Sequence, residues 1–358
     1  MAFTARIQQR DFGEFVALPD LALRPLRWAW RAQGGPDFAE IGVDGDEEML
    51  WQMLAWLRCP ITIYSDGVPV WWGYVADAAF SSSALAVAVS LEDMYNKLAV
   101  AYSLVEAGSQ TVGERATTAW VSDTTSTGEY GTKELLGSID GATSTTAEAV
   151  RDVLLTQHRY PRAIPQASGQ YGSGGRLICL GWYSTLGWRY YANSATTSTV
   201  TTTQIGAIVT GVGEFLSADI VDASGVSSSE YRNGDNTALV EIEEMLRTPT
   251  SGGARLAATV TVDRRLQVAL EGDSGDDDWL VTPGGLRDRW GSLPLAGSGV
   301  LGWARLRGVV PASANLNYMG APSPLYIEAN EFDAGTLAYR WQARGMASPW
   351  ELSRIAQG

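Results

Sequence analysis

Short runs of alternating apolar and polar side chains, closed by Gly, Pro and Asp turns, recur along this sequence, and few stretches carry the 3.6-residue spacing of a helix. From Arg24 the run RPLRWAWRA puts Leu26, Trp28 and Trp30 on one side and Arg27, Ala29 and Arg31 on the other, as a half-buried strand does. Gly34-Gly35-Pro36 turns the chain, and residues 38–43 are expected to return as a second strand. Residues 61–64 and 70–75, joined across Ser65-Asp66-Gly67, predict a β-hairpin. Residues 84–89 and 99–102 predict further strands, with a short element over 91–98 between them. Over 47–57, Met49, Leu50, Met53, Leu54 and Leu57 fall at helical spacing, with Asp44 or Asp46 as the cap and Pro60 soon after the end.

The middle of the chain reads differently. Residues 106–147 are rich in Ser, Thr and Gly and predict a long loop or insertion, too polar to make a core alone. Thr145-Thr146-Ala147-Glu148 has the form of a capping box, and Val150, Val153 and Leu154 supply an apolar face for a covering helix running to about His158. Aromatic-dense strands are expected over 176–183 and 186–191, with Ser184-Thr185 at the turn, before a second polar tract, NSATTSTVTTTQ. Asn236 caps a predicted helix over 237–246 that turns Leu239, Ile242, Met245 and Leu246 to one side. Residues 257–262 and 266–270 form a strand pair across Asp263-Arg264-Arg265, and 299–310, 324–328 and 336–344 read as strands.

The expected fold class is therefore mainly β: two small β-barrel domains with a few short α-helices and long Ser/Thr/Gly-rich loops. The expected boundaries are a first barrel over 1–105, a Ser/Thr-rich insertion with a helix and aromatic strands over 106–235, and a second barrel over 236–358. A chain of 358 residues exceeds the usual size of one domain, which agrees with two or three.

Composition narrows the function. Charged residues are 18%, below the ordinary ~25%, while fourteen Trp give large rigid aromatics for cores and subunit contacts. Trp28, Trp30, Trp71, Trp72 and Tyr74 are the interface candidates. Trp71 and Trp72, adjacent on one strand, are expected to point to opposite faces, one into the barrel and the other against a neighbouring subunit or covering segment. With 26 basic and 40 acidic residues the formal charge is −14, which repels nucleic acid. Cys59 and Cys179, each in apolar text, are expected as reduced core residues. MAFTARIQQRDFGEF holds no apolar run or small-residue cleavage site, and no later stretch nears ~18 consecutive apolar residues, so neither a secretion signal nor a membrane span is expected.

Catalytic chemistry has little to stand on. His158 is the sole histidine, and its place at a helix end in QHRYPR predicts a structural side chain with no triad partner. No nucleophile elbow, phosphate loop or paired-cysteine motif is present; YGSGGR at 171–176 precedes a strand rather than opening a helix. The acidic run Asp273, Asp276, Asp277 and Asp278 lacks the interleaved spacing of a calcium loop and reads as a solvated turn. Glu47-Glu48 and Glu243-Glu244 fall on predicted exposed helix faces, and Glu328 with Glu331 forms a third carboxylate pair. No cofactor, metal or catalytic residue is expected.

Trp28–Trp30, the GGP turn, the helix ending in LRCPITIY, VPVWWGYVADAAF and MYNKLAVAY together resemble the first barrel of bacteriophage tail hub proteins, the superfamily of late-control hub proteins and type VI secretion spike bases. There a strand, a turn and an aromatic-Gly-aromatic-Val strand build a small barrel that joins its copies in a ring; the matching positions are 61–64, Asp66-Gly67 and Trp72-Gly73-Tyr74-Val75. DNTALVEIEEMLRT, VTVDRRLQVAL and LGWARLRGVV are similar to the second hub barrel and its preceding helix. The resemblance implies a structural, non-enzymatic virion protein. It would be assembled in the host cytoplasm as a homo-oligomeric ring, a trimer in preference to a hexamer. Tail-tube, distal-tail, tape-measure and tip or fibre proteins would be its partners, and DNA would pass through unbound. A hexameric distal-tail ring, a carbohydrate- or receptor-binding β module built on Trp182–Tyr191, and a cell-wall hydrolase are the alternatives.

Overall fold

The structure, a computed structural model, describes residues 2–18, 21–46, 50–81, 85–104, 115–167, 174–193, 198–220, 227–229, 231–248, 255–270, 278–282, 285–288, 315–318, 325–336 and 338–344. In chain order its strands are β1 (Phe3–Ile7), β2 (Leu21–Arg31), β3 (Gly35–Gly45), β4 (Pro60–Ser65), β5 (Val68–Ser81), β6 (Leu85–Ser90), β7 (Lys97–Leu104) and β8 (Arg115–Thr117). Next come β9 (Val121–Ser122), β10 (Glu134–Ala142), β11 (Arg162–Ala167), β12 (Gly174–Leu180), β13 (Tyr190–Asn193), β14 (Ser198–Val200), β15 (Ser217–Ile220) and β16 (Ser227–Ser229). The last are β17 (Arg232–Thr237), β18 (Leu256–Val260), β19 (Arg265–Leu270), β20 (Asp278–Thr282), β21 (Gly285–Asp288), β22 (Asn315–Tyr318), β23 (Leu325–Asp333) and β24 (Ala338–Arg344). The chain is mainly β, as the alternation predicts.

One large sheet runs β1-β4-β5-β12-β3-β2-β23-β22-β20-β21, with β6 beside β5, β11 beside β6 and β24 beside β23. It curls back on itself. Phe3 on β1 meets Trp28 on β2 at 5.1 Å between ring centroids, although four strands separate β1 from β2 in the sheet. Phe332 of β23 completes the cluster, 4.6 Å from Trp28 and 5.3 Å from Phe3. Edge-on and tilted aromatic contacts of this kind add to the apolar area they bury. The strands of residues 1–105 do not close alone, because β12 from mid-chain lies hydrogen-bonded between β3 and β5.

The β4–β5 hairpin is built as its sequence asks. Asp66 and Gly67 both have positive φ, 49° and 84°, the geometry of a two-residue turn whose twist matches the flanking strands. Beyond the turn, residues 70–76 are buried on both faces of β5. One face looks into the curl, toward residues such as Ile7, Ile61 and Ile63 of the apolar core. The other is covered by the 3-10 segment Trp182–Trp188 and by β18. Close approach of these layers depends on glycine: a Cβ on Gly181 would sit 1.7 Å from the Pro36 carbonyl oxygen, and one on Gly35 (φ +76°) 2.1 Å from Thr259 Oγ1.

The covering layer is a three-stranded sheet, β15-β19-β18, in which β15 and β19 run parallel. The helices Thr201–Val212 and Ala238–Arg247 pack on it and on each other. Of the predicted face, Ile242, Met245 and Leu246 are buried and Leu239 is partly buried. Asn236 does not cap the second helix; its side-chain amide donates to Glu241 Oε1 at 3.1 Å, and Thr237 occupies the cap position without a side-chain bond.

Several expectations are corrected. The described part of 106–147 is no loop: β8, β9, β10 and the helix Thr124–Tyr130 occupy it. With β7 these strands form a second sheet, β10-β7-β8 with β9 also on β7, against which the helix Ser144–His158 packs. A polar text suffices because side chains stand in for backbone partners, as where the Val100 N–H donates to Thr118 Oγ1 at 3.0 Å. The cap of Ser144–His158 is Thr143, whose Oγ1 accepts from the Thr146 N–H at 3.2 Å, and Val153 is exposed while Arg151 is buried. In the tract NSATTSTVTTTQ, residues 198–200 form β14 and residues 201–204 open the helix Thr201–Val212, burying Thr201, Thr202 and Gln204. The helix expected over 47–57 is described only as a 3-10 turn, Trp51–Trp56, after Leu50, with no side-chain cap. The segment expected as a strand over 299–310 and the carboxylates Glu47 and Glu48 lie outside the described residues.

Candidate functional site

Trp28, Trp30, Trp71, Trp72 and Tyr74, the interface candidates, are all buried inside the single chain. They therefore form its core rather than a surface that another subunit could touch. Trp30 donates its indole N–H to the Val70 carbonyl at 3.0 Å and meets Trp72 edge-on at 5.1 Å. Trp72 donates to the Val260 carbonyl at 2.8 Å, so the face of β5 opposite the curl is closed by β18. Tyr74 OH pairs with Ser184 Oγ at 2.9 Å, its ring beside Trp182 and Trp188. Desolvation holds the Tyr74 hydroxyl well above the ordinary tyrosine range.

The aromatic run Trp182–Tyr191 is corrected in the same way. Residues 182–188 wind as a 3-10 turn instead of pairing as strands, and Trp182, Tyr183, Leu186 and Trp188 are buried. A sugar-stacking platform needs open ring faces, which Trp182, Tyr183 and Trp188 lack. His158 ends the helix Ser144–His158; its Nδ1 pairs with the Asp93 carbonyl at 2.9 Å and its own carbonyl accepts from the Tyr95 N–H at 2.8 Å. Cys59 and Cys179 are free and buried, and both flank Val75 from opposite sides, two strand spacings apart. That separation, roughly 9–10 Å, is beyond disulfide reach. Glu331 pairs with Arg27 at 3.4 Å and Glu243 with Arg247 at 3.3 Å, so neither stands ready for acid–base work. Residues 273–277 of the acidic run lie outside the described residues. Among the described residues no three His, Cys, Asp or Glu side chains gather as a metal site, and no helix is long and apolar enough to cross a membrane.

Two cationic groups stand out, one buried and one half-buried. Arg58, held at φ 65° just before β4, donates to the Arg10 carbonyl at 2.5 Å and to the Glu129 carbonyl at 3.3 Å. Its guanidinium lies 5.6 Å from the Phe12 ring and 5.2 Å from Phe215, while Arg264 stacks 3.4 Å above Phe12. Burial lowers the Arg58 pKa to about 10. This cluster ties the foot of the curled sheet to the β18–β19 turn and the helix Thr124–Tyr130 by cation–π contact.

The second is Lys133, between the helix Thr124–Tyr130 and β10. Its Nζ donates to the carbonyls of Leu91 at 2.6 Å and Glu92 at 2.7 Å, and lies 4.7 Å from the Tyr95 ring centroid. It borders a cavity of about 400 Å³ walled by Tyr74, Ala76, Leu91, Leu180 and Trp188, with Asp77, Ser90, Glu92 and Ser184 as its polar groups. Burial pulls the Lys133 pKa down to about 8, against smaller opposing pulls from Glu92, Asp93 and Asp77. The sequence carried one signal: Lys97 and Lys133 are the only lysines among 26 basic residues, so each holds a place that arginine does not. Lys97 is spoken for, paired at 2.8 Å with the buried Glu134, which also takes Arg189 at 3.0 Å and the Tyr190 N–H at 2.7 Å.

No family model matches the sequence, and no curated protein matches it. Among solved structures the chain is similar to the 43 kDa tail protein of prophage MuSo2 from Shewanella oneidensis, at 7% identity and TM-score 0.43 over 95% of this chain and 96% of that one. It is also similar to an E. coli component of the type VI secretion system, described as structurally similar to bacteriophage T4 tail proteins, at 9% identity and TM-score 0.43 over 96% of this chain and 77% of that one. A prophage tail protein of Listeria monocytogenes EGD-e is similar at 9% identity and TM-score 0.43, over 99% of this chain and all 100% of that one.

Proposed function

We propose that this chain is a structural component of a bacteriophage tail, a ring-forming hub at the tip or baseplate that joins the tail tube to the tip and lets DNA pass. The observation that carries the reading is the curled sheet with the β4–β5 hairpin inside it. The stretch that resembles the hub barrel, residues 61–64, Asp66-Gly67 and Trp72-Gly73-Tyr74-Val75, is this hairpin, and Phe3 reaching Trp28 is what a small barrel requires. Two further features agree with it. Among the described residues β11 pairs only with β6 and β24 only with β23, which leaves strand edges there that a neighbouring chain can pair. A net charge of −14 favours a lumen through which phosphates slide without gripping. Ring contacts would then fall on strand edges and exposed side chains, since the Trp core is spent within the chain.

Native mass measurement of the purified protein across a concentration series, with electron microscopy of the particle, tests this. A closed ring of three copies is expected. Six copies would move the assignment to a distal-tail ring, and a monomer at every concentration with no ring in the virion would sink it.

A further inference from the structure

A 400 Å³ cavity is large enough for a small organic ligand, and this one combines apolar walls with few polar groups, the usual make-up of a small-molecule site. Lys133 is its distinctive member. The two carbonyls of Leu91 and Glu92 take two of the N–H directions of Nζ. No carboxylate among the described residues comes within 4.0 Å of it, and besides the two carbonyls its neighbours are the Tyr95 ring at 4.7 Å and the Trp188 ring at 5.9 Å. A neutral amine can keep both carbonyl bonds and still present its lone pair. The indole of Trp188, whose ring centroid is 5.9 Å from Nζ, with Leu180 and Ala76, offers a flat apolar wall. Asp77 places a carboxylate on the same cavity.

We propose that this cavity binds a small aldehyde with an apolar or aromatic body, which Lys133 captures as an imine. The amine lone pair adds to the aldehyde carbon while one amine proton passes to the carbonyl oxygen, giving a carbinolamine. The hydroxyl then leaves as water, taking up the second amine proton by way of solvent, and the C=N bond remains. No electrons are exchanged with any other reagent. The reaction favours Lys133 because desolvation leaves on the order of a hundredfold more neutral amine near pH 8 than an ordinary lysine has. The inference is independent of the tail reading.

Benzaldehyde is a suitable probe. The full-length protein is incubated with it near pH 8, the imine is fixed with cyanoborohydride, and peptide mapping by mass spectrometry locates the benzyl group. With Lys97 as the only other lysine, the expected result is an adduct at Lys133 at least about tenfold above that at Lys97 or the N-terminal amine. Benzyl alcohol, which fits the same walls but cannot form an imine, should slow labelling of Lys133 alone. K133R, which keeps donors for the two carbonyls, should lose the adduct while keeping the wild-type melting temperature within a few degrees. Equal labelling of both lysines and the terminus, or labelling of Lys133 that benzyl alcohol does not slow, would overturn the proposal.

Discussion

The curled sheet and the smaller sheet around β7 are held together by opposite means. In the first, β5 is sealed on both faces by aromatic and aliphatic side chains, and glycines let the layers close to contact. In the second, the apolar core is small, Val100, Tyr102, Ala142 and Ala147, and buried polar groups join it to the rest. Asn96 is wholly buried, donating to the Gly131 carbonyl at 2.8 Å and accepting from the Lys133 N–H at 2.8 Å. Glu134 gathers Lys97, Arg189 and the Tyr190 N–H. The contrast teaches that apolar burial is non-directional and its loss scales with the area and volume removed, whereas a buried polar junction fails as a unit when one member goes.

The largest effects are expected in the first region. Trp71→Ala and Trp72→Ala should each cost about 3–5 kcal/mol, since both side chains are buried. Trp72→Ala also leaves the Val260 carbonyl without its indole donor. Urea unfolding reads both; if Trp72→Ala unfolds at the wild-type midpoint, the closure of β5 by β18 is wrong.

A loss of about 3 kcal/mol is expected for Glu134→Ala, which strands two cations at a buried junction. The comparison sharpens if hydrogen exchange speeds over 97–158 while β5 and β12 stay protected. Uniform acceleration across both regions would show that the two sheets are one cooperative unit.

The smallest effect concerns pH. Lys133 has a folded pKa near 8, below its ordinary value of 10.5, so the unfolded chain binds more protons between those limits. Its contribution therefore penalises folding fully below pH 8 and is relieved as pH rises toward 10.5. Relative to Lys133→Met, the wild-type protein should gain about 1–2 kcal/mol across that window. Denaturant melts at pH 7.5 and pH 10 check the sign, and a wild-type stability that falls relative to Lys133→Met as pH rises would contradict the desolvation of this amine.

Alternation and turn chemistry were enough to find β2, β3, the β4–β5 hairpin and the β18–β19 pair, because each is a local pattern of two-residue period ended by Gly, Pro or Asp. The capping signal near Thr145 located the helix Ser144–His158 to within two residues of its true cap, Thr143. What it missed is equally physical. The Ser/Thr text of 115–142 becomes sheet and helix through side-chain bonds such as that of Thr118 and through the polar junction at Asn96, and no periodicity announces those partners. Trp182–Trp188 looks like strand in composition, yet it winds into a 3-10 turn where Gly181 lies against the Pro36 carbonyl.

By itself the sequence determined a β-rich chain with a central hairpin, reduced cysteines and no multi-histidine chemistry, since those follow from local patterns and from which residue types are present. Only the tertiary structure decided that Trp28, Trp30, Trp71 and Trp72 are buried inside the subunit. It alone inserted β12 between β3 and β5 and set Lys133 beside a cavity. These outcomes depend on contacts between residues tens to hundreds of positions apart, such as Trp72 with Val260 and Lys133 with Leu91, which no local spacing encodes.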